Sequence, residues 1–361
     1  MSRLLLRLSL LVWVALALML GVTLSVNRLR TPRQISYSDG RVPELYLLDA
    51  ERGVSLRLWR TVTGENDAVW SPDGKRLALV QNTFTGSDRF QNDAVLVMAD
   101  LQEGTQVSPA PDWRILGQPA WSPDGSRLAF RTLVNGSSQV AVHQLDTGLT
   151  YRLNETSSGD SDPVWTPDGE WLSYISYRDG NPRLYSARPD CIQEAVGCRR
   201  NDRLLIPGFL VMAWPPTWSP DGRWLAVTGI SGGSNQSALY LFERICANLA
   251  EDCMRLQQRL TENISDVQGP AWSPDGQWVS FIAYEDARNV IRLLNPFSME
   301  TRTYAVGPNT IISQPGWSAD GGWLVFEMSN FRLVALEVGS GRLRGLVKLQ
   351  LPISAAPAWR P

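Results

Sequence analysis

Three sets of side chains in this 361-residue sequence are equipped for chemistry. The first is a row of aspartates, Asp73, Asp124, Asp168, Asp221, Asp275 and Asp320, each at the same place in a W-S-P-D-G-like pentapeptide. The second is a group of carboxylates just upstream of three copies. Glu65 and Asp67 precede Trp70, Glu155, Asp160 and Asp162 precede Trp165, and Glu262 and Asp266 precede Trp272. Paired carboxylates can serve as general acid and base, or converge on a cation or a basic segment. The third is His143, the only histidine. A serine-hydrolase triad needs a base, and His143 is the only imidazole available for it. The sequence has no G-x-S-x-G elbow, no H-E-x-x-H and no phosphate-cradling glycine loop.

Four cysteines form two pairs of equal spacing, Cys191 with Cys198 and Cys246 with Cys253. Zinc sites use C-x2-C spacing or nearby histidines, and neither is present. Two local disulfides, and hence an oxidising compartment, are expected; four reduced cysteines are the alternative. Lys and Arg number 34 against 36 Asp and Glu, for a net charge of −2. A nucleic-acid binder carries a basic excess to displace counterions, so that class is set aside. No cofactor motif is recognised.

The elements that must position these groups are repeats. The pentapeptide at Trp70–Gly74 returns at Trp121, Trp165, Trp218, Trp272 and Trp317, and the sequence ends inside a seventh copy at Trp359. The Trp-to-Trp spacings are 51, 44, 53, 54, 45 and 42 residues. Such a period points to a propeller. After each glycine comes an alternating run, Leu77 and Leu79, Leu128 and Phe130, Leu172 and Tyr174, which predicts a strand with one face more buried. Asp-Gly between two such runs is a hairpin signal, with proline presetting φ and glycine supplying a positive one. The six aspartates are therefore expected to be corner residues. The repeated Trp reads as a wedge between sheets, and His143 as a surface residue of a third strand, aligned with Tyr46 and Arg292.

Counting a third and a fourth strand per repeat, the expected fold is all-β: a seven-bladed propeller of four-stranded antiparallel blades. One blade is closed by pairing Ala358–Trp359 with the strand near Ile35. Residues 35–361 form this domain. Residues 1–34 comprise a stub, an uncharged apolar run over Leu8–Val26 and a short linker. At 1.5 Å per residue the run spans about 28 Å as a helix, close to a bilayer's hydrocarbon core. A transmembrane signal anchor with the propeller on the extracytoplasmic side is expected. Secretion after cleavage near Thr23–Ser25 is the alternative.

The P-A-W-S-P-D-G pattern, followed by a strand and an L-Y-L-x-D-type strand, resembles the WD40-like (PD40-type) repeats of the TolB family of β-propellers. The resemblance covers roughly residues 34–361. It implies a cell-envelope protein; TolB-type proteins pair six blades with an N-terminal α/β domain and bind a peptidoglycan-associated lipoprotein. This sequence departs in its seven blades, its apolar leader and the lack of room for that domain. The expected function is a membrane-anchored scaffold for a protein or peptide partner. Its binding face would comprise Glu65, Asp67, Asp160, Asp162 and Asp266 with Phe84, Arg89 and Phe90 of an insertion over 82–92. A small-ligand or glycan binder at the channel mouth and a carboxylate-based hydrolase or lyase are the other readings.

Overall fold

The computed structural model describes residues 33–361, apart from 40–43, 59–64, 85–91, 154–158, 190–202, 207–209, 212–213, 231–236, 245–253, 262–263, 287, 307–310, 312, 331 and 351–355. The leader, all four cysteines, Arg89 and Phe90 lie outside these residues. Among the described residues no helix is long and apolar enough to cross a membrane.

Seven antiparallel sheets follow one another along the chain. Blade 2 occupies 65–107, blade 3 115–152, blade 4 160–204, blade 5 210–259, blade 6 265–305 and blade 7 316–348. Blade 1 holds strands Gln34–Asp39, Glu44–Asp49 and Val54–Arg57, joined by Ala358–Trp359. In that seam, Ile35 is opposite Trp359 and Ser36 opposite Ala358. Blades have four strands each, except that the first strand of blade 5 is split into Leu210–Val211 and Thr217–Trp218. Pro215 and Pro216 lie in the gap, where a missing N–H breaks the ladder.

The first strand of each blade ends in the repeat Trp, and at six of the seven joints it meets the first strand of the neighbouring blade, so these strands surround the axis. Fourth strands such as Val54–Arg57 and Thr105–Val107 are exposed at the rim. Second strands are buried on both faces, not one as the alternation suggested. Leu128, Ala129 and Phe130 are all fully buried. The large residues pack back on the preceding blade, Leu128 and Phe130 with Ala78 and Leu96. The small ones admit the following blade, Ala129 beside Trp165 and Tyr174. Stacking sheets this way leaves no face of a blade to solvent except at its outer strand.

The pentapeptide builds one end of every blade. Trp121 Nε1 donates to Val69 O (3.2 Å), Trp165 to Ala120 O (3.1 Å), Trp272 to Thr217 O (3.1 Å), Trp317 to Ala271 O (3.1 Å) and Trp70 to Ala358 O (3.3 Å). Each acceptor is the residue just before the preceding blade's own Trp. At five of the seven joints the wedge therefore carries a polar tie between neighbouring inner strands, while the indole N–H groups of Trp218 and Trp359 are buried without one among the described residues. Pro72, Pro123, Pro167, Pro220 and Pro274 each lie against the motif glycine of the following blade. These corners define a hairpin face. The blade-to-blade connections and the turns between second and third strands lie at the opposite end, the link face.

Candidate site on the link face

The motif aspartates are occupied by the corners. Ser122 Oγ donates to Asp124 Oδ1 (2.6 Å), and the Ser126 amide donates to the same oxygen (3.0 Å). Ser122 Oγ in turn accepts the Arg127 amide (2.9 Å). The serine or threonine bond and the amide bond recur at Asp73, Asp168, Asp221, Asp275 and Asp320. Burial alone would raise the pKa of Asp124, but the bonds from Ser122 and Ser126, with Arg127 nearby, bring it down to about 2. The corner aspartates are bound into the turns.

His143 departs from its expected place. It pairs with Leu128, just as Leu48 pairs with Ile35. It is therefore equivalent to Leu48 rather than Tyr46, and it is 2% exposed. Its Nδ1 meets Thr150 Oγ1 at 2.7 Å, and burial lowers its pKa. It is an interior strand residue, away from the link face.

Four of the upstream carboxylates occupy two kinds of position, while Glu155 and Glu262 lie outside the described residues. Glu65 and Asp160 each lie five residues before the Trp and are 1% and 0% exposed. Expected on an outward surface, both are instead turned inside. Glu65 accepts the Leu45 amide of blade 1 (3.2 Å), and Asp160 lies 3.9 Å from the Arg178 guanidinium. Asp67 and Asp162 lie three before the Trp and have positive φ, 54° and 53°. The strand register shifts between Asn66 and Val69 and between Ser161 and Val164, so both are bulge residues. Gly269, three before Trp272, shares the conformation at φ 56°. Asp and Gly at that one place carry the signal that would have revealed the bulge, since both tolerate left-handed backbone. Burial pushes the Asp67 carboxyl up to about 6. Asp162 is half-buried and takes the Ser161 hydroxyl at 2.7 Å. Asp266 is on the first strand of blade 6, Ser265–Trp272. Asn82–Phe84 continue the second strand of blade 2 rather than opening a loop, with Phe84 opposite Asn92.

Sequence reasoning missed Arg178. Its Nη2 donates to Tyr174 OH (2.8 Å) and its Nε to Ser176 Oγ (3.0 Å), while its guanidinium stacks 4.0 Å above the Tyr185 ring. The Tyr185 hydroxyl donates to Asp179. This cluster holds the link-face end of blade 4 rigid. Beside it Tyr177 is 48% exposed, and Tyr284 on blade 6 is 45% exposed. Of the Trp residues outside the repeat positions, Trp113 packs edge-on against Phe130 at 6.2 Å.

Residues 70–196 match the family model described as PD40, TolB beta propeller domain. Over that stretch the chain is similar to the TolB β-propeller domain. Among curated proteins, this TolB-like chain is 28% identical over 215 residues to the uncharacterized peptidase YuxL of Bacillus subtilis, covering 58% of the chain and 28% of YuxL. It is 40% identical over 60 residues to the Tol-Pal system protein TolB of Desulfosudis oleivorans, covering 17% of the chain and 14% of that protein. The chain thus spans well under half the length of these two relatives. Among solved structures, an oligogalacturonate lyase from Vibrio parahaemolyticus superposes with a TM-score of 0.61 at 12% identity, over 82% of this chain and 88% of that one. That likeness shows the fold alone. The chain is thus similar in sequence to a Tol-Pal protein and to a protein named as a peptidase, and in fold alone to a lyase. Its function has to be argued from the link face.

Proposed function

We propose that this protein is a membrane-tethered, exported scaffold that binds a protein or peptide partner of the cell envelope on its link face. One observation carries the reading. The hairpin face repeats the same bonds in blade after blade, whereas at the link face the blades cease to be alike. Blades 2, 4 and 6 share one bulge, blade 6 adds a second and blade 3 has a longer one, while Tyr177 and Tyr284 stand exposed at the link-face ends of second strands in blades 4 and 6 only. Irregular loops with exposed aromatics on a rigid frame are the usual form of a recognition surface. A Tol-Pal protein among the relatives supports the envelope setting.

The apolar run over Leu8–Val26 supports the tether. Arg33, on the hairpin side, pairs with Glu51 at 3.1 Å. With the leader arriving there, the link face is turned away from the bilayer. Catalysis by carboxylates is disfavoured because Glu65 and Asp160 are bound inside the blades, and His143 is buried elsewhere.

A photo-crosslinking side chain placed at Tyr177 or Tyr284 in the full chain, expressed in its own cells, is expected to capture protein. The same probe at Ser126 on the hairpin face is expected to capture none. Capture from Ser126 alone would defeat the reading.

A further inference from the structure

At their link-face ends, the opposed faces of blades 3 and 4 carry three arginines. Ala129, Val140 and Val142 of blade 3 share a cluster with Tyr174 and Tyr185 of blade 4, which identifies the faces that meet. Side chains two apart on a strand share a face. Arg131, two beyond Ala129 in strand Arg127–Val134, therefore lies on the blade 3 face toward blade 4. Arg183, two before Tyr185 and opposite Ser176, lies on the blade 4 face toward blade 3. Arg178, with its bonds to Tyr174 and Ser176, closes the same end.

Among the described residues, the acids nearby are already engaged. Asp160 is 3.9 Å from Arg178, Asp179 accepts the Tyr185 hydroxyl, and Asp162 accepts the Ser161 hydroxyl. Arg131 and Arg183 are different. Both are half-buried, and the Nε of each is buried without a hydrogen-bond partner among the described residues. Burying a guanidinium N–H without an acceptor sacrifices solvation that nothing among the described residues returns. Blade packing does not require a cation at the place of Arg131. Ten residues after their own Trp, blades 2, 4 and 6 put Val80, Ile175 and Ile282 there. Exposed Tyr177 stands on the adjoining turn, its amide bonded to Gly159 O at 3.3 Å.

We infer that this notch binds a carboxylate of an acidic peptide segment. The half-buried guanidinium groups of Arg131 and Arg183 supply the charge, and Tyr177 offers the aromatic face. A guanidinium fork matches a carboxylate by geometry as well as charge. The inference rests on the protein-binding reading above and gives its partner a chemistry.

The probe is a fluorescein-labelled peptide of glutamate and tyrosine, titrated against the full chain by anisotropy at low and high salt. Saturable binding that weakens with salt is expected. Arg131→Gln or Arg183→Gln is expected to weaken it about tenfold or more, and Arg→Lys at either place to restore only part. Arg131→Ile, the hydrocarbon used by other blades, is expected to abolish binding while holding or raising the melting temperature; a merely structural arginine would lower it. Arg344→Gln, on the hairpin side, should change nothing. Unchanged peptide affinity in folded Arg131→Gln and Arg183→Gln overturns the site. So does binding of polygalacturonate, but not peptide, through the same arginines. If crosslinking from Tyr177 still captures protein in the double Gln variant, the notch is wrong and the protein-binding reading stands. If wild-type protein captures nothing from Tyr177 or Tyr284, that reading itself fails.

Discussion

Asp67 shows how an acidic residue can be placed for its backbone rather than its charge. It holds a left-handed bulge at φ 54°, a conformation that Asn and Asp adopt more readily than other side-chain-bearing residues. Burial raises its pKa to about 6. An unfolded aspartate titrates near 3.9, so the folded protein holds the extra proton between about pH 4 and 6. Stability from this group is present below about pH 4 and is lost as the pH rises through about 6. Asp67→Asn keeps the bulge and removes the charge. It is expected to stabilise the protein by about 1–2 kcal/mol at pH 8 and by almost nothing at pH 4, read from denaturant melts. An equal change at both pH values would show that the carboxylate is not desolvated. The arginines teach a related lesson. Arg76 and Arg127 stand where other blades have Trp171, Trp224, Trp278 and Trp323. Arg76 reaches Gly125 O (3.2 Å) and covers Trp121 at 4.9 Å, and Arg127 does the same to Gly169 (2.9 Å) and Trp165 (4.7 Å). Two unlike side chains thus seal the same joint between blades.

The hairpin corner is the element that was most legible in the sequence, because its residues answer to backbone demands that few others meet. Gly125 has φ 70°, and Pro72 of the preceding blade lies 3.7 Å from where a Cβ would be. That contact is ordinary, so the cost of Gly125→Ala comes from the left-handed backbone. About 1–2 kcal/mol of destabilisation is expected in a urea melt, and a neutral result would mean the corner can relax into another turn. The third strand was less legible. His143 slipped by two residues from its true register because a two-residue shift on a strand keeps every side chain on the same face. The pattern of apolar residues is silent about such a slip, and only the pairing of His143 with Leu128 resolves it. The bulges were missed for a similar reason. They change the count of residues along one strand without changing its composition, and only the shared place of Asp67, Asp162 and Gly269 betrays them.

At the scale of the molecule, both ends of the described chain meet in blade 1. Arg360 Nε donates to Gly74 O of blade 2 (2.7 Å), its Nη1 to Gln34 Oε1 (2.8 Å), and its guanidinium covers Trp70 at 5.2 Å. A residue at the position of a motif serine thereby does the work of Arg76 and Arg127 in the other joints. Trp359, Ile35 and Val325 share one cluster across the joint with blade 7. Deleting 355–361 removes the first strand of blade 1, unpairs the edge of strand Gln34–Asp39 and strips inner-strand packing from blades 2 and 7. It is expected to lower the melting temperature of the whole domain in one cooperative step, by about ten degrees or more on the loss of several buried contacts. A truncated chain that melts like the full one would mean the seam contributes nothing. The seven-bladed ring could be counted from the sequence because each blade repeats the same corner. The link face could not be read so directly, because its side chains answer to blade-specific neighbours, as Arg178 answers to Tyr185 and Asp160.

The account divides labour between two faces, architecture at the corners and recognition at the links. The most direct test measures partner capture per folded molecule for matched substitutions on both faces, with the melting temperature of each variant. Substitutions at Ser122 and Gly125 are predicted to lower the melting temperature and leave capture by the surviving folded protein unchanged. Tyr177→Ser, Arg131→Gln and Arg183→Gln are predicted to weaken capture read from a crosslinker at Tyr284, at an undiminished melting temperature. Loss of capture by folded corner variants, with full capture by link-face variants, would contradict the account.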